Sequence, residues 1–124
     1  MEAINKVASA IHNISIFSSP GPLFLGLDLS TQQLKAIVVS EKGSLVHEIA
    51  VNFDKDLPGY KTQNGAIHGP GVGEVTSPVA MWVEAMDILA ERMYEEGIEL
   101  SSIHGISGAG QVWFINYIRL IRTK

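Results

Sequence analysis

The chain of 124 residues contains no cysteine, so no disulfide framework holds it together, and a reducing, cytoplasmic setting suits it. Its histidines, His12, His47, His68 and His104, are scattered without ligand spacing, which leaves no zinc pattern. Long apolar runs are missing too: none approaches the roughly eighteen residues of a membrane-spanning helix. Cations are few, with nine Lys and Arg against thirteen Asp and Glu and a formal net charge of −4. Without a basic stripe, nucleic acid is not the expected partner. What remains is 46% hydrophobic, globular in class and sized for one domain at most.

Where the chain does carry a pattern, polar residues stand between two apolar runs. Leu23 to Leu27 is apolar, Asp28, Leu29, Ser30 and Thr31 place three oxygen-bearing side chains around a tight turn, and Ala36 to Val39 is rich in β-branched residues. Strand, polar turn and strand predict a hairpin. A carboxylate at the end of a buried strand can hold hydrated Mg²⁺, while hydroxyls and turn N–H groups can take phosphate oxygens. That chemistry suits a nucleoside triphosphate. The same residue types are also plain turn formers that hydrogen-bond their own backbone, and residue types alone do not separate the two readings.

Further along, Glu41-Lys42-Gly43-Ser44 predicts a turn and Leu45 to Phe53 a third strand, with Val46, Ile49 and Val51 available for burial. Three antiparallel strands then meander from Leu23 to Phe53. Residues 54 to 76 read as loop, rich in Gly and Pro and long for a structureless connection. Gly69, Gly71 and Gly73 make no nucleotide fingerprint, because they neither follow a strand nor lead into a Lys-Ser or Lys-Thr helix start. A helix is predicted next, with Ser77 as cap and Pro78 at the first helical position. Trp82, Met86, Leu89 and Met93 form its buried stripe, Glu84, Asp87, Glu91 and Glu95 its solvent face, and Gly97 its left-handed end. Ile98 to Ile106 predicts a fourth strand, and Ser107 to Gln111 a small-residue turn that lets backbone approach a ligand. Gly105-Ile106-Ser107-Gly108-Ala109 approximates a hydrolase nucleophile elbow, but no suitably placed acid and histidine follow it.

Four of these segments, taken in order, carry a resemblance. LGLDLSTQQLK, Leu25 to Lys35, resembles the first phosphate motif of the FGGY carbohydrate kinase family, part of the actin, heat-shock protein and hexokinase superfamily. VNFDKDLPGYKTQNGAIH (51–68), TSPVAMWVEAMDIL (76–89) and HGISGAGQ (104–111) are similar to the xylulokinase branch of that family. The resemblance implies an α/β fold over residues 23–111: a partial ribonuclease-H-like lobe with a mixed sheet of about four strands and one main helix. It implies a parent enzyme that uses ATP and Mg²⁺ to phosphorylate D-xylulose, a carboxylate base taking the proton of the sugar's C5 hydroxyl. On that footing Asp28 organises Mg²⁺, Ser30, Thr31, Gln32 and Lys35 border the phosphates, and Gln111 lies next to the sugar-facing stretch. Asp56, Thr62 and Gln63 fall in the region that borders the sugar cleft.

No residue of this chain matches the family's catalytic aspartate, its second phosphate loop or its adenosine-binding domain. The chain is therefore expected to be inactive alone, as the start of a longer kinase. A non-catalytic alternative stays open, in which a short product binds or regulates the full-length kinase. An actin-like or chaperone ATPase is disfavoured by the sugar-cleft segments.

Two stretches stand outside the resemblance. Residues 1–22 carry Glu2, one Lys6 and no Arg, which is poor for a transit peptide; a poorly ordered extension ending at the Ser18-to-Pro22 linker is expected. Residues 112–124 replace the Gln-His-Gly that the resemblance predicts after Gln111. A glutamine codon before a valine codon can spell a splice donor, and this tail is expected to be translated intron. Val112 to Ile118 is uncharged, Pro-free and rich in β-formers, the composition of an aggregating segment.

Overall fold

The computed structural model describes residues 2–3 and 21–110. The tail over 112–124 lies outside the described residues, as does most of the extension over 1–22. The elements run β1 (Leu23–Leu29), β2 (Gln33–Ser40), β3 (Leu45–Asn52), α1 (Phe53–Asp56), β4 (Ile67–His68), β5 (Val75–Thr76), α2 (Val79–Glu95) and β6 (Ile103–Gly110).

Alternating apolar residues explain the first three strands, which form the expected antiparallel meander. After α2 the chain returns to the other side of β1 and pairs with it in parallel, giving the sheet order β3-β2-β1-β6. This is the mixed four-stranded sheet with one main helix that the resemblance implied. The inner face carries Leu23, Leu25, Leu34, Ala36, Val38, Ile49 and Val51, and α2 covers it with Met81, Ala85, Leu89 and Met93. Phe53 is fully buried where β3 runs into α1. Burying one such side chain is worth about 1.5–3 kcal/mol.

The end of α2 is set by one backbone motif. Gly97 takes φ +76°, its N–H donates to the Tyr94 carbonyl, and the Ile98 N–H reaches back to Met93. Ile98 and Met93 are both buried, which adds the apolar contact that accompanies a Schellman closure.

Several predicted details shift. The buried stripe of α2 is Met81, Ala85, Leu89 and Met93, one residue round from the predicted start; Met86 is 43% exposed and Trp82 only partly buried. Pro78 occupies the N-cap, and Ser77 does not cap: its hydroxyl donates to the Gly65 carbonyl at 3.1 Å. Val46 is exposed, because it lies an odd number of residues from Ile49 and Val51 and strand alternation turns it to the other face; of the predicted trio only Ile49 and Val51 point inward. Ile98 is consumed by the helix closure and Leu100–Ser102 forms a 3-10 turn, so the last strand starts at Ile103. That strand also runs through the predicted small-residue turn as far as Gly110, since residues 107 to 110 pair with β1.

Nor is 54–76 structureless. It holds most of α1, a 3-10 turn at Pro58–Tyr60, and the β4–β5 hairpin. Tyr60 is tied to α2 by a hydrogen bond from its hydroxyl to Glu84 Oε2 at 2.8 Å. Arg92 fixes α2 to the start of this segment: its guanidinium donates to Asp56 Oδ1 at 2.9 Å and Oδ2 at 3.1 Å, and also to the Ala50 carbonyl.

Candidate functional site

Side chains that alternate away from α2 make the outer face of the sheet. Gly26 and Asp28 of β1, Lys35 and Ile37 of β2, and Ser107 and Ala109 of β6 line an open concavity of about 260 Å³ there. Gly26 makes its floor; a Cβ at that position would lie 3.0 Å from Ile37 Cγ1. Because β1 and β6 are parallel, their carboxyl ends share one end of the sheet, the end at which open α/β sheets hold ligands.

Asp28 stands at that end. It belongs to β1 rather than to the turn, since pairing continues through Asp28↔Lys35 and Leu29↔Leu34. The side chains of register partners share a face, so Asp28 and Lys35 are neighbours on the open side. Lys35 Nζ reaches across to Glu48 Oε1 at 3.1 Å. An exposed pair of this kind is worth about 0–1 kcal/mol, weak enough for a phosphate to compete for the ammonium. Asp28 itself is exposed and makes no ion pair among the described residues.

The turn is closed by Ser30. Its N–H and its hydroxyl both donate to the Gln33 carbonyl at 3.0 Å, which leaves the hydroxyl oxygen able to accept. Thr31 and Gln32 form the exposed tip. Asp28, Ser30, Thr31 and Gln32 thus lie together at one end of the sheet, with Lys35 one strand across. Gln111 lies outside the described residues; it follows Gly110, which pairs with Leu29 beside the turn.

Residue reading passed over what stands behind the turn. Gln63, Asn64, Gly65 and Ala66 form a tight reverse turn, with Gln63 and Ala66 exchanging backbone hydrogen bonds of 2.8 and 3.2 Å. Asn64 and Gly65 both take positive φ, 54° and 78°, which is the Asn-Gly signature of a type I′ turn. That dipeptide was the available signal. Asp54 holds the turn in place: Oδ1 accepts from the Thr62 hydroxyl at 2.6 Å and the Gly65 N–H at 3.0 Å, and Oδ2 from the Asn64 N–H at 2.7 Å. The Thr62 bond first, then that of Gly65, keeps the Asp54 carboxyl below its ordinary range. Gly65 in turn sits on the β1–β2 hairpin, so that a Cβ there would fall 1.8 Å from the Thr31 carbonyl oxygen.

Of the residues that the resemblance placed near a sugar cleft, Asp56 is bound by Arg92 and by the Asn52 N–H, and Thr62 is buried against Asp54. Gln63 presents an exposed side chain. Among the described residues no three His, Asp or Glu side chains gather into a metal cage. Mg²⁺ does not need one, since it is usually held by one or two carboxylates together with water and substrate phosphates. Asp28 beside an oxygen-rich turn fits that requirement.

No family model matches the chain. Among curated relatives, a probable D-xylulose kinase A of Arthroderma otae is 46% identical over 94 residues, covering 76% of this chain and 16% of the relative. A xylulose kinase of Schizosaccharomyces pombe is 49% identical over 89 residues, again 16% of its length. The crystal structure of a xyloylose kinase from Brucella ovis superimposes with a TM-score of 0.57 and 27% identity, over 72% of this chain and 16% of that one. The chain thus spans about a sixth of the relatives it matches, and the partial sugar-kinase lobe implied by its sequence is the fold it adopts. By residue identity and by fold together, the chain is similar to about a sixth of a xylulose kinase.

Proposed function

We propose that residues 21–110 are the phosphate-gripping part of an ATP-dependent D-xylulose kinase. The observation that carries the reading is an exposed Asp28 beside the Ser30-closed turn, at the shared carboxyl ends of parallel β1 and β6, in a chain that aligns with xylulose kinases. In the reaction implied, the sugar's primary hydroxyl oxygen attacks the γ-phosphorus as the bond to the ADP oxygen breaks. A carboxylate takes the hydroxyl proton. Such transfers depend on positioning and on neutralising the developing charge.

The residues of this chain serve positioning. Asp28 would hold the Mg²⁺ that accompanies ATP, a cation whose chemistry is to neutralise phosphate charge. Ser30 offers its hydroxyl oxygen, Thr31 and Gln32 stand at the exposed tip, and Lys35 is a cation one strand away that can leave Glu48 for a phosphate. Gln111 would meet the sugar. No carboxylate of this chain is assigned as the base, so the 124-residue polypeptide is expected to bind without turning over. The reading carries a cytoplasmic setting with it.

Titration of the ¹⁵N-labelled polypeptide with MgATP tests this. Amide shifts are expected at residues 28 to 33, weakened about tenfold or more by Asp28→Asn, with no ADP released in the presence of D-xylulose. Absence of those shifts at millimolar MgATP would overturn the phosphate reading, and turnover abolished by Asp28→Asn would overturn the inactivity. A second, non-catalytic reading draws on the β6 edge, which has no further strand among the described residues and leaves Ile106 68% exposed. Co-purification with a full-length kinase through that edge would favour it.

A further inference from the structure

Resting on the phosphate reading, we infer that Asp54 is a positioning residue for the phosphate hairpin, acting through the Asn64-Gly65 turn on the Thr31 and Gln32 backbone. Asp54 touches no substrate group in this scheme. Its two oxygens accept three hydrogen bonds, from Thr62, Gly65 and Asn64, and those bonds fix where the second turn sits. The turn then meets the first one backbone to backbone. A Cβ on Gly65 would be 1.8 Å from the Thr31 oxygen and 2.8 Å from both Thr31 C and Gln32 Cα. No side chain larger than hydrogen fits between the two strands of chain.

Two further bonds make the arrangement a clasp rather than a single touch. The Phe53 N–H, one residue before Asp54, donates to the Gln32 carbonyl at 3.0 Å, gripping the hairpin on the side where β2 begins. The Ser77 hydroxyl donates to the Gly65 carbonyl at 3.1 Å and closes the turn from behind. The tip of the hairpin is thus held by residues 53 and 65, and Asp54 lies between these contacts in space as well as in sequence. A binding loop that must present N–H and hydroxyl groups in a fixed pattern loses affinity when a support lets it drift, because preorganisation is part of the binding free energy. Thr62, which lies in the region of the sugar-cleft resemblance, serves this support directly.

Three variants of the full 124-residue chain, Asp54→Ala, Asp54→Asn and Gly65→Ala, separate the roles. Asp54→Ala removes all three acceptors. Asp54→Asn keeps one oxygen for two donors but turns an NH₂ toward the Asn64 N–H. Gly65→Ala leaves Asp54 intact and attacks the contact from the other side. Each would be titrated with MgATP by amide NMR, with the β3 amides of residues 46 to 51 as the internal check on folding. Expected are intact β3 signals, displaced free-state resonances at Thr31 and Gln32, and MgATP affinity lowered about tenfold in Asp54→Ala and Gly65→Ala and less in Asp54→Asn. The double variant Asp54→Ala/Gly65→Ala should be no weaker than the worse single one, as residues acting through one contact are non-additive. Wild-type affinity in all three, with the wild-type chain binding normally, would overturn the inference and leave the phosphate reading standing. Binding by none, the wild type included, would remove the phosphate reading and this inference with it. If Asp54→Ala loses its β3 signals, Gly65→Ala and Asp54→Asn decide by the same criteria.

Discussion

Single residues in this fold act where the backbone or a carboxylate has no alternative. Gly97 at φ +76° cannot be replaced without forcing a side chain into the left-handed region. Gly97→Ala is expected to cost about 1–2 kcal/mol in urea unfolding at unchanged slope. Asp54 and Asp56 both titrate below the usual carboxylate range, the first through the Thr62 hydroxyl, the second through the Arg92 guanidinium. In the unfolded chain such groups take up a proton near pH 3.9. Below that value the native state binds fewer protons than the unfolded state, so their stabilisation is complete above about pH 4 and is lost as pH falls through the folded values. Thermal unfolding followed from pH 7 to pH 3 should show this decline, and Asp56→Asn should start lower and fall less steeply. Gly97 was legible from its place after a helical period. The bonds to Asp54 and Asp56 were not, because they join residues brought together only by the tertiary fold.

At the level of elements, α2 shows how a periodic pattern can be right in kind and wrong in phase. Two large apolar sets lie on this helix, Trp82-Met86-Leu89-Met93 and Met81-Ala85-Leu89-Met93, and they share their second half. Hydrophobicity favours the first. The sheet favours the second, because an Ala at position 85 lets the helix lie close against β2 and β3, with Met81 and Ala85 fully buried. Met81→Ala is therefore expected to destabilise by about 2–5 kcal/mol, whereas Met86→Ala should stay within about 0.5 kcal/mol of wild type by chemical denaturation. The strands were easier, since alternation over seven or eight residues fixes which face is inside. The small-residue run from Ser107 to Gly110 misled for the opposite reason: it has too little side chain to display a period, and only its pairing with β1 makes it a strand. In the candidate site, the grouping from Asp28 to Gln32 was local in sequence and so could be read. Its support from residues 54 and 65 was not local, though the Asn64-Gly65 pair announced a turn.

At the scale of the molecule, the described residues form a sheet that α2 covers on one face over β2 and β3, while on the other face Phe24 and Ile37 are 39% and 38% exposed. The covering helix reaches β2 and β3, whereas β6 is held mainly through its ladder to β1, with Ile103 at its start packed against the core. That ladder begins with Leu23 opposite Ile103, so a long stretch of chain must be threaded before it can form. The meander and its helix need only near neighbours. A polypeptide leaving the ribosome can thus assemble β1 to β3 and α2 while the last strand is still inside the exit tunnel, and loop-closure entropy defers the parallel pairing to the end. During that interval one flank of β1, including the backbone of Asp28, stands unzipped. The carboxyl end of β1, where Asp28 stands, would then be the last of the described residues to mature, and the first to open when the chain begins to unfold.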